Sequence, residues 1–537
     1  MDVKSRELDP AVTSFRRTDA ILAGLILLLA LLYRLYALTG DIMYDPVVYA
    51  QNAYNLLNGT FRLDTYSWYD HRFTVFVPVA PAYALLGVGT LSTHIWPLIL
   101  SLSQVGAVLW LGYRWLGREV AILAALFLAL LPLDVVCAGV LNPDIVIAFF
   151  VTCSAMCWIV AFERRSGPTR TPLFLAGLFC GLAVLTRPYA VVMLVFFFGY
   201  AVWQRALLKS LFWLCLGLIL IGTPILLLYA VRTGDPLFRL HAISSFYGAP
   251  PAPEGAGWLT YPALVWNVRN ATGLFAPLFA AAALLGLVRP TRQRLVLLFW
   301  IAPMLMYLQF GSMSLNSYVP VFKEVRFLTP LLAPAALLAA LVILEELPEI
   351  IRKAGSLLRL SSTERLNKLL LVVLILILCA SSLVFIRNHR SRHLGVANSF
   401  RSAVAVLKTE EIPILIDHWR TGIRLSYYFD FEEGSHFYAG ADESKRMLRT
   451  ITPEGSRLGY LKWYEDPFDI PEAFVVLEDE ILGQAEKVAA LDPARSAYPA
   501  KDIPAYCHNP PASWRSMGRF GSLRVFRTSR KDSLTCT

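Results

Sequence analysis

Of the 537 residues of the chain, 56% are hydrophobic and 16% are charged, and the formal net charge is +10. Soluble globular proteins average about 45–50% apolar and about 25% charged residues, so this composition excludes an ordinary soluble protein over most of the length. Basic and aromatic residues do not alternate along one soluble segment, so we predict no nucleic-acid partner. The positive charge is better explained by the Lys and Arg residues of cytoplasmic loops in membrane proteins.

Hydrophobic segments along the chain predict a polytopic membrane protein. A helix needs about 20 mostly apolar residues to cross a bilayer, and about eleven segments meet this requirement. The segments are 20–38, 94–113, 119–136, 144–162, 172–186, 188–204, 210–230, 271–288, 294–311, 326–345 and 368–386. The first is too long for the core of a cleavable signal peptide, so we predict a retained span. The predicted fold class is α-helical, polytopic and membrane-embedded, with about 11 to 13 transmembrane helices.

The number of spans depends on how two proline-containing segments are interpreted. The segment 75–88 is apolar but short and contains Pro78 and Pro81, so we predict a re-entrant or interfacial piece there. Only Arg187-Pro188 separates the fifth predicted span from the sixth. The division into two spans at this point therefore rests on a single proline.

The distribution of Lys and Arg residues predicts which loops face outward. With a cytoplasmic N-terminus, the inner segments carry most of these residues before the tail, as the positive-inside rule requires. The loops and tail predicted on the outer face are 39–93, 134–144, 232–270, 312–325 and 389–537. Three basic residues that follow the last span do not fit the positive-inside rule: Arg387, Arg390 and Arg392. They either meet outer headgroup phosphates or show that the span count is off by one. We predict a multi-pass plasma-membrane protein whose functional loops face outward.

The C-terminal tail changes composition and predicts a soluble domain. Runs typical of β-strands are separated there by Pro, Gly and charged turns, at 413–417, 474–477 and 523–526. We therefore divide the chain into a transmembrane module, 1–388, with interfacial helices in its loop 39–93, and a small outer α/β domain, 389–537. Cys507 and Cys536 could form a disulfide if this domain is extracellular.

Acidic residues recur beside the outer ends of the predicted spans. Asp45 precedes Pro46, which predicts the cap and first-turn proline of a short amphipathic helix that lies at the membrane surface and ends near Gly59. Asn142-Pro143-Asp144 and Gly234-Asp235-Pro236 repeat this pattern in two later outer loops. Capping and the helix dipole explain each acid alone. Acids that gather on one side at membrane depth are usually functional.

Six segments in this order carry a family resemblance. They are Asp45-Pro46-Val47-Val48-Tyr49, the proline-containing 76–87, Asn142-Pro143-Asp144, Leu185-Thr186-Arg187-Pro188, Thr233-Gly234-Asp235-Pro236-Leu237-Phe238 and Val325-Arg326-Phe327-Leu328-Thr329-Pro330. Over about residues 20–345 the chain resembles the GT-C glycosyltransferases that use a polyprenyl-phosphate sugar, in the subgroup of protein O-mannosyltransferases and aminoarabinose transferases. Many members have two adjacent acids where this chain has Asp-Pro. We therefore assign no metal ligand, and a divalent metal is the one possible cofactor.

The resemblance implies a reaction and two catalytic acids, Asp45 and Asp144. The first-loop acid of the family is taken as the catalytic base, and Asp144 corresponds to its second outer acid. An alcohol that attacks an anomeric carbon must lose a proton, and a neighbouring carboxylate can accept it. The lipid phosphate leaves without an acid. The resemblance implies a single displacement, and inversion at the anomeric carbon would follow from it. A helix N-terminus would lower the basicity of Asp45 and burial would raise it, and the sequence leaves this balance open.

Candidate substrate-binding residues lie in the same outer segments. They are Tyr49, His71, Arg72, Arg187, Asp235, Lys323 and Arg326. Arg187, Lys323 and Arg326 could neutralise the departing phosphate, and snorkelling to lipid headgroups is the alternative explanation for each. Tyr49, with Trp68 and Tyr69, could stack on a sugar, and an interfacial aromatic belt is the alternative.

The function predicted from these residues is transfer of a sugar from a polyprenyl-phosphate carrier to a hydroxyl of a protein, glycolipid or glycan. The partners are then the lipid-linked sugar donor, membrane lipids and an acceptor that the sequence does not identify. A transporter or lipid flippase is the alternative, and it would place opposed charges near mid-membrane. A glycan ligase or polymerase would carry its main polar loop late in the chain. His389 and His393 are spaced to share a metal on a helix but lack a third ligand nearby, so they are assigned no site.

Overall fold

The computed structural model contains helices over most of the chain and a small sheet near its C-terminal end. The residues that the structure describes are 16–42, 44–63, 67–162, 167–247, 259–312, 318–321, 323–358, 363–409, 414–416, 419–431, 458–460, 474–478 and 515–527. The predicted cysteine pair, Cys507 and Cys536, lies outside these residues. By internal contacts the chain forms two compact units. The first comprises Met1–Leu38, Trp96–Leu237 and Tyr247–Asn388, and the second comprises Thr39–Ile95, Phe238–Phe246 and His389–Thr537.

The helices are numbered in chain order. They are α1 (Arg17–Ala37), α2 (Tyr44–Leu57), α3 (Phe73–Phe76), α4 (Val79–Leu86), α5 (Thr90–Leu111), α6 (Arg118–Leu130), α7 (Pro132–Ala138), α8 (Pro143–Ala161), α9 (Arg170–Thr186), α10 (Met193–Trp203), α11 (Leu207–Thr233), α12 (Phe238–Tyr247), α13 (Thr260–Ala263), α14 (Phe275–Val288), α15 (Arg292–Phe310), α16 (Leu332–Leu358), α17 (Thr363–Leu407) and α18 (Trp419–Tyr428). Short 3-10 turns occupy Trp68–His71, Pro188–Val192 and Val325–Leu331.

The membrane character predicted from the sequence is confirmed. Within the described part of the chain, 7 helices are long and apolar enough to cross a bilayer, or 8 if the bent pair α6 and α7 forms one span. The other three predicted spans correspond to α9, α10 and α14, which are apolar but shorter. Helix α9 ends at Thr186 because Pro188 cannot continue the ladder of backbone hydrogen bonds and disfavours a helical Arg187. The predicted re-entrant piece 75–88 corresponds to the two short helices α3 and α4, separated at Pro78.

Close helix packing in the first unit centres on α8, α9 and α11. In the most apolar 18-residue stretch of α8, 83% of the residues are buried, so this helix lies at the centre of the unit. A Cβ atom on Gly177 of α9 would lie 2.0 Å from the carbonyl oxygen of Leu214 on α11. Gly217 of α11 approaches Phe174 of α9 equally closely, with a Cβ position 2.2 Å from its carbonyl oxygen. Small residues on both helices therefore allow their backbones to touch, as is common between membrane helices.

The soluble part of the second unit is built on a five-stranded sheet. Its strands are β1 (Ile414–Ile416), β2 (Leu458–Tyr460), β3 (Phe474–Glu478), β4 (Arg515–Phe520) and β5 (Leu523–Arg527). The strand order is β2-β1-β3-β5-β4, with β1 parallel to β2 and β3 and with β5 antiparallel to β3 and β4. Three of these strands coincide with the β-like runs of the sequence, so the small α/β fold predicted near the C-terminal end is confirmed. Its predicted bounds, 389–537, stay a prediction.

Helix α17 extends from the last predicted span into this soluble core. Its 45 residues correspond to about 67 Å at 1.5 Å per residue, which exceeds the ~30 Å hydrocarbon core of a bilayer. Phe400 and Leu407 from its C-terminal half are buried against Leu425 of α18 and against Val476 and Val525 of the sheet. The C-terminal half of α17, which follows the last apolar segment, is therefore an integral part of the soluble domain.

Candidate active site

Asp45 lies in the first turn of α2, in the second unit. The helix begins at Tyr44, two residues before the predicted first helical residue, Pro46, so Asp45 is inside the helix rather than its cap. The Tyr69 hydroxyl donates a hydrogen bond of 2.8 Å to Asp45 Oδ1, and the carboxylate is half-buried. The positive end of the helix dipole also favours the carboxylate here. Asp45 is thus fixed in orientation and still reachable from solvent.

Aromatic and cationic side chains surround Asp45. Tyr49 lies one turn further along α2, and its hydroxyl accepts a hydrogen bond from Arg72 Nη1. The guanidinium of Arg72 also lies over the Trp68 ring, 4.2 Å from its centroid. The rings of Tyr49 and Tyr69 meet edge to face with centroids 5.4 Å apart. We call Asp45, Tyr49, Trp68, Tyr69 and Arg72 the first-loop cluster, and it brings together three of the predicted site residues.

The residues between Tyr69 and Arg72 are buried. Asp70 Oδ1 accepts a hydrogen bond of 2.7 Å from Asn52 Nδ2 on α2, which ties the 3-10 turn to the helix. His71, predicted to bind substrate, is fully buried and meets Phe238 edge to face at 5.8 Å. The substrate role of His71 therefore stays a prediction.

The possible divalent metal finds no ligand set in the described part of the chain. No group of three or more His, Cys, Asp and Glu side chains there lies close enough together to hold a metal ion. Asp45 of the first-loop cluster accepts a hydrogen bond from Tyr69, and Asp70, next to Tyr69 in the chain, accepts one from Asn52. We therefore derive no step of the reaction through a metal.

In the first unit, Asp144 is the centre of a second cluster. Helix α8 begins at Pro143 after Asn142, as predicted, and Asp144 lies in its first turn. The buried carboxylate forms an ion pair of 2.7 Å with Arg187 Nη2, and Arg326 Nε lies 3.9 Å from its other oxygen. We call Asp144, Arg187 and Arg326 the Asp144 cluster. These residues come from three separate segments of the chain, and the sequence had predicted all of them as site residues.

The two arginines of the Asp144 cluster differ in exposure. The Arg187 side chain is 7% exposed, and its guanidinium lies 4.5 Å from the centroid of the Phe327 ring. The Arg326 side chain is 28% exposed and also forms an ion pair with Glu324. Lys323, half-buried, precedes Glu324 in the same segment. Arg187 is therefore the internal cation of the cluster, and Arg326 is the one that solvent or a ligand reaches more easily.

Tyr261 of α13 is a neighbour of this cluster that the sequence did not reveal. Its buried hydroxyl donates to the backbone oxygen of Glu324 at 3.4 Å. Burial, together with nearby Tyr189, Glu324 and Asp144, raises the pKa of Tyr261, so the hydroxyl stays protonated. The tyrosine occurs in a long segment between two predicted spans that carries no recognisable motif.

Asp235 occupies a different setting from the other predicted residues. It lies in the turn that follows α11, where its Oδ1 accepts a hydrogen bond of 2.9 Å from the Leu237 amide. Its own amide donates to the Thr233 hydroxyl at 3.3 Å. These local contacts are those of a turn residue, so the substrate role of Asp235 stays a prediction.

A buried ion pair inside the first unit was also missed. Arg34 of α1 and Asp134 of α7 are both fully buried and form an ion pair. Ser101 of α5 accepts from Arg34 Nε at 2.6 Å and donates to Asp134 Oδ2 at 2.5 Å. Asp134 falls in what the sequence suggested as an outer bend. The pair joins α1 to α7, and Ser101 adds α5. It is the kind of embedded charge pair that the transporter alternative anticipated.

Comparisons with known proteins give a family match and a fold match. A family model described as dolichyl-phosphate-mannose-protein mannosyltransferase matches residues 73–228. The comparison with curated protein sequences gives no significant match. The fold is similar to ArnT from Cupriavidus metallidurans, in the apo state and bound to undecaprenyl phosphate, with a TM-score of 0.61 and 14% identity over 95% of this chain and 98% of that chain.

A second similar structure is the archaeal oligosaccharyltransferase AglB from Archaeoglobus fulgidus, in complex with an inhibitory peptide and a dolichol-phosphate. Its TM-score is 0.53 at 12% identity, over 88% of this chain and 71% of that chain. These matches confirm the GT-C fold that the resemblance implied. They also support the predicted enzyme class, a glycosyltransferase.

Proposed function

We propose that this protein is an integral-membrane glycosyltransferase that moves a sugar from a polyprenyl-phosphate carrier to a hydroxyl acceptor on the outer face of the plasma membrane. The observation that carries the proposal is Asp45, a half-buried carboxylate held by Tyr69 in a chain with the GT-C fold. Similar structures contain undecaprenyl phosphate or a dolichol-phosphate, which supports the carrier class. The outer-face assignment rests on the distribution of Lys and Arg residues.

The reaction is a single displacement at the anomeric carbon. The acceptor oxygen attacks this carbon while Asp45 accepts its proton, which typically contributes about 10²–10⁴-fold to the rate. The bond between the anomeric carbon and the phosphate oxygen breaks, and polyprenyl phosphate departs with the electron pair. Because attack and departure occur on opposite faces, the configuration inverts. Trp68 is half-buried and offers part of its ring to the sugar. Tyr49 is fully buried, so its part is to hold Arg72 rather than to stack on the sugar.

The Asp144 cluster is suited to the donor phosphate. Arg187 is held by Asp144 and flanked by Phe327, so its guanidinium is presented in a fixed orientation. Arginine binds phosphate oxygens through paired hydrogen bonds, and fixed donors aimed at developing charge are a large catalytic effect. Arg326 and Lys323 add positive charge in the segment before α16. Asp144 accordingly acts by holding Arg187.

Transfer by the purified protein tests this proposal. The protein in liposomes is mixed with radiolabelled polyprenyl-phosphate mannose, glucose, arabinose or aminoarabinose and with cell-envelope proteins, glycolipids or glycans as acceptors. We expect one donor to be consumed, with equal amounts of glycosylated acceptor and free polyprenyl phosphate. Movement of a lipid-linked sugar between leaflets without its consumption would show a flippase instead.

Arg326→Ala is expected to weaken donor binding more than it slows the reaction. The side chain is partly exposed and lies 3.9 Å from Asp144, so we assign it to phosphate recognition rather than to the reacting atoms. We expect KM for the donor to rise about ten-fold with kcat within about two-fold, the pattern of uniform binding. Arg326→Lys, which keeps the charge, should recover part of the affinity. A lower kcat at unchanged KM would contradict this role.

A further inference from the structure

Three consecutive residues before α2 are held by side chains from the C-terminal part of the second unit. The Tyr428 hydroxyl donates to the Gly40 carbonyl oxygen at 2.9 Å. Arg424 donates from Nη2 to Asp41 Oδ1 at 3.0 Å and from Nε to the Ile42 carbonyl oxygen at 3.2 Å. Both donors belong to α18. The entry to the helix that carries Asp45 is thus bound residue by residue to the soluble domain.

Asp41 is a buried acid whose two carboxylate oxygens contact Arg424 and His393. It is 6% exposed, and its second oxygen lies 2.7 Å from Nδ1 of His393 on α17. Burial raises the pKa of Asp41, but the hydrogen bond with His393 and the charge of Arg424 outweigh it and lower the pKa overall. Asp41 is therefore ionised. Removal of one partner would leave a buried charge poorly compensated.

Gly40 is closely surrounded by side chains from α17 and from the start of α5. Its φ is +71°, and a Cβ atom there would lie 2.4 Å from Arg401 Nη2 and 2.5 Å from Thr90 Oγ1. Only glycine adopts this backbone conformation without strain and also admits the neighbouring side chains. The connection before α2 is therefore confined both by its own backbone and by α17.

Helix α18 is itself rigidly supported. Leu425 and Phe429 are buried in the core formed with α17 and the sheet. The Arg424 guanidinium lies over the Phe400 ring, 4.1 Å from its centroid, so its direction is fixed by packing as well as by charge. The same region contacts α2 again further along, where the rings of Tyr54 and Phe431 are 5.3 Å apart. Because the Arg424 side chain is fixed in this way, a shift of the domain would also shift residues 40–42 and the start of α2.

We propose that the C-terminal domain positions the catalytic helix: Arg424, His393 and Tyr428 hold residues 40–42 and thereby fix the first turn of α2, where Asp45 lies. This rests on the proposed function, in which Asp45 is the base. The three side chains are positioning residues, because they act through the backbone and Asp41 rather than on substrate. A displacement of about 1 Å at a reacting group can cost about 10²-fold in rate, so a small shift of α2 would be visible in kcat.

The test compares Arg424→Ala with wild type in kinetics and in amide exchange. We expect kcat to fall about 10- to 100-fold with KM for the lipid-linked donor within about two-fold. Arg424→Lys keeps the charge but not both hydrogen bonds, so it should recover part of kcat. Arg515→Ala, an exposed arginine of β4, is the matched control and should behave as wild type. If Arg424→Ala does not fold, Tyr428→Phe deletes one hydroxyl and should lower kcat about two- to five-fold.

Hydrogen–deuterium exchange separates this inference from the proposed function. In Arg424→Ala we expect faster exchange across residues 40–57, with unchanged exchange in α8 and α9 of the first unit. If the wild type transfers no sugar, the proposed function fails, and exchange alone decides whether α18 fixes α2. Unchanged exchange at 40–57, or a raised KM with unchanged kcat, would overturn the positioning role.

Discussion

Asp45→Asn is expected to lower kcat for sugar transfer by about 10²–10⁴-fold, because the amide cannot accept the proton of the attacking hydroxyl. The amide oxygen can still accept the hydrogen bond that Tyr69 now donates to Oδ1, so α2 and the first-loop cluster should remain in place. Donor binding should therefore be preserved. The measurement is the rate of label transfer from polyprenyl-phosphate sugar, together with the donor Kd.

The matched control for this substitution is Asp430→Asn. Asp430 is an exposed acid after α18 with a φ of +60°, a conformation that asparagine tolerates well. It should leave transfer and stability unchanged. Transfer by Asp45→Asn at the wild-type rate would remove Asp45 from the role of base.

Breaking the Asp144–Arg187 pair should produce the second large effect. Both side chains are nearly fully buried, and removal of one partner from a buried pair costs about 3–5 kcal/mol. Asp144→Asn and Arg187→Gln alone should therefore both lower Tm. The double variant replaces the pair with two neutral amides, so it should regain much of the lost Tm.

Transfer should respond differently from stability in the same three variants. Arg187→Gln and the double variant lack the cation assigned to the phosphate, and loss of one such donor typically costs about 10²–10³-fold. Asp144→Asn keeps the cation but loses its anchor, so its loss of transfer should be smaller. Recovery of both Tm and transfer in the double variant would show that the pair is only structural.

The parts of the fold that depend on local sequence were predictable. Apolar length identified the membrane segments, and Asn142-Pro143 marked the start of α8. Short β-like runs bounded by Pro, Gly and charged turns identified β1, β3 and β5 of the soluble sheet. The acids Asp45 and Asp144 could be predicted as site residues for the same reason, because each belongs to a local sequence pattern that marks the start of a helix. These features need no knowledge of which distant segments meet.

Pairings across long chain separations were not predictable. Arg34 and Asp134 are 100 residues apart, and a single sequence does not indicate that their charges meet inside the helix bundle. Asp41 and Arg424 are separated by 383 residues, and both resemble ordinary loop and helix charges. Tyr261 lies in a loop without a motif. Each of these contacts is created by tertiary packing, which propensity and spacing do not encode.

Azide rescue of Asp45→Ala is the most direct measurement of whether Asp45 is the base. Azide is a nucleophile without a proton to lose, so it can attack the anomeric carbon of the bound donor when no base is present. We predict that azide restores turnover of polyprenyl-phosphate sugar in this variant and gives a glycosyl azide of inverted configuration. A variant that binds the donor but is not rescued by azide, or that yields a product of retained configuration, would contradict the account.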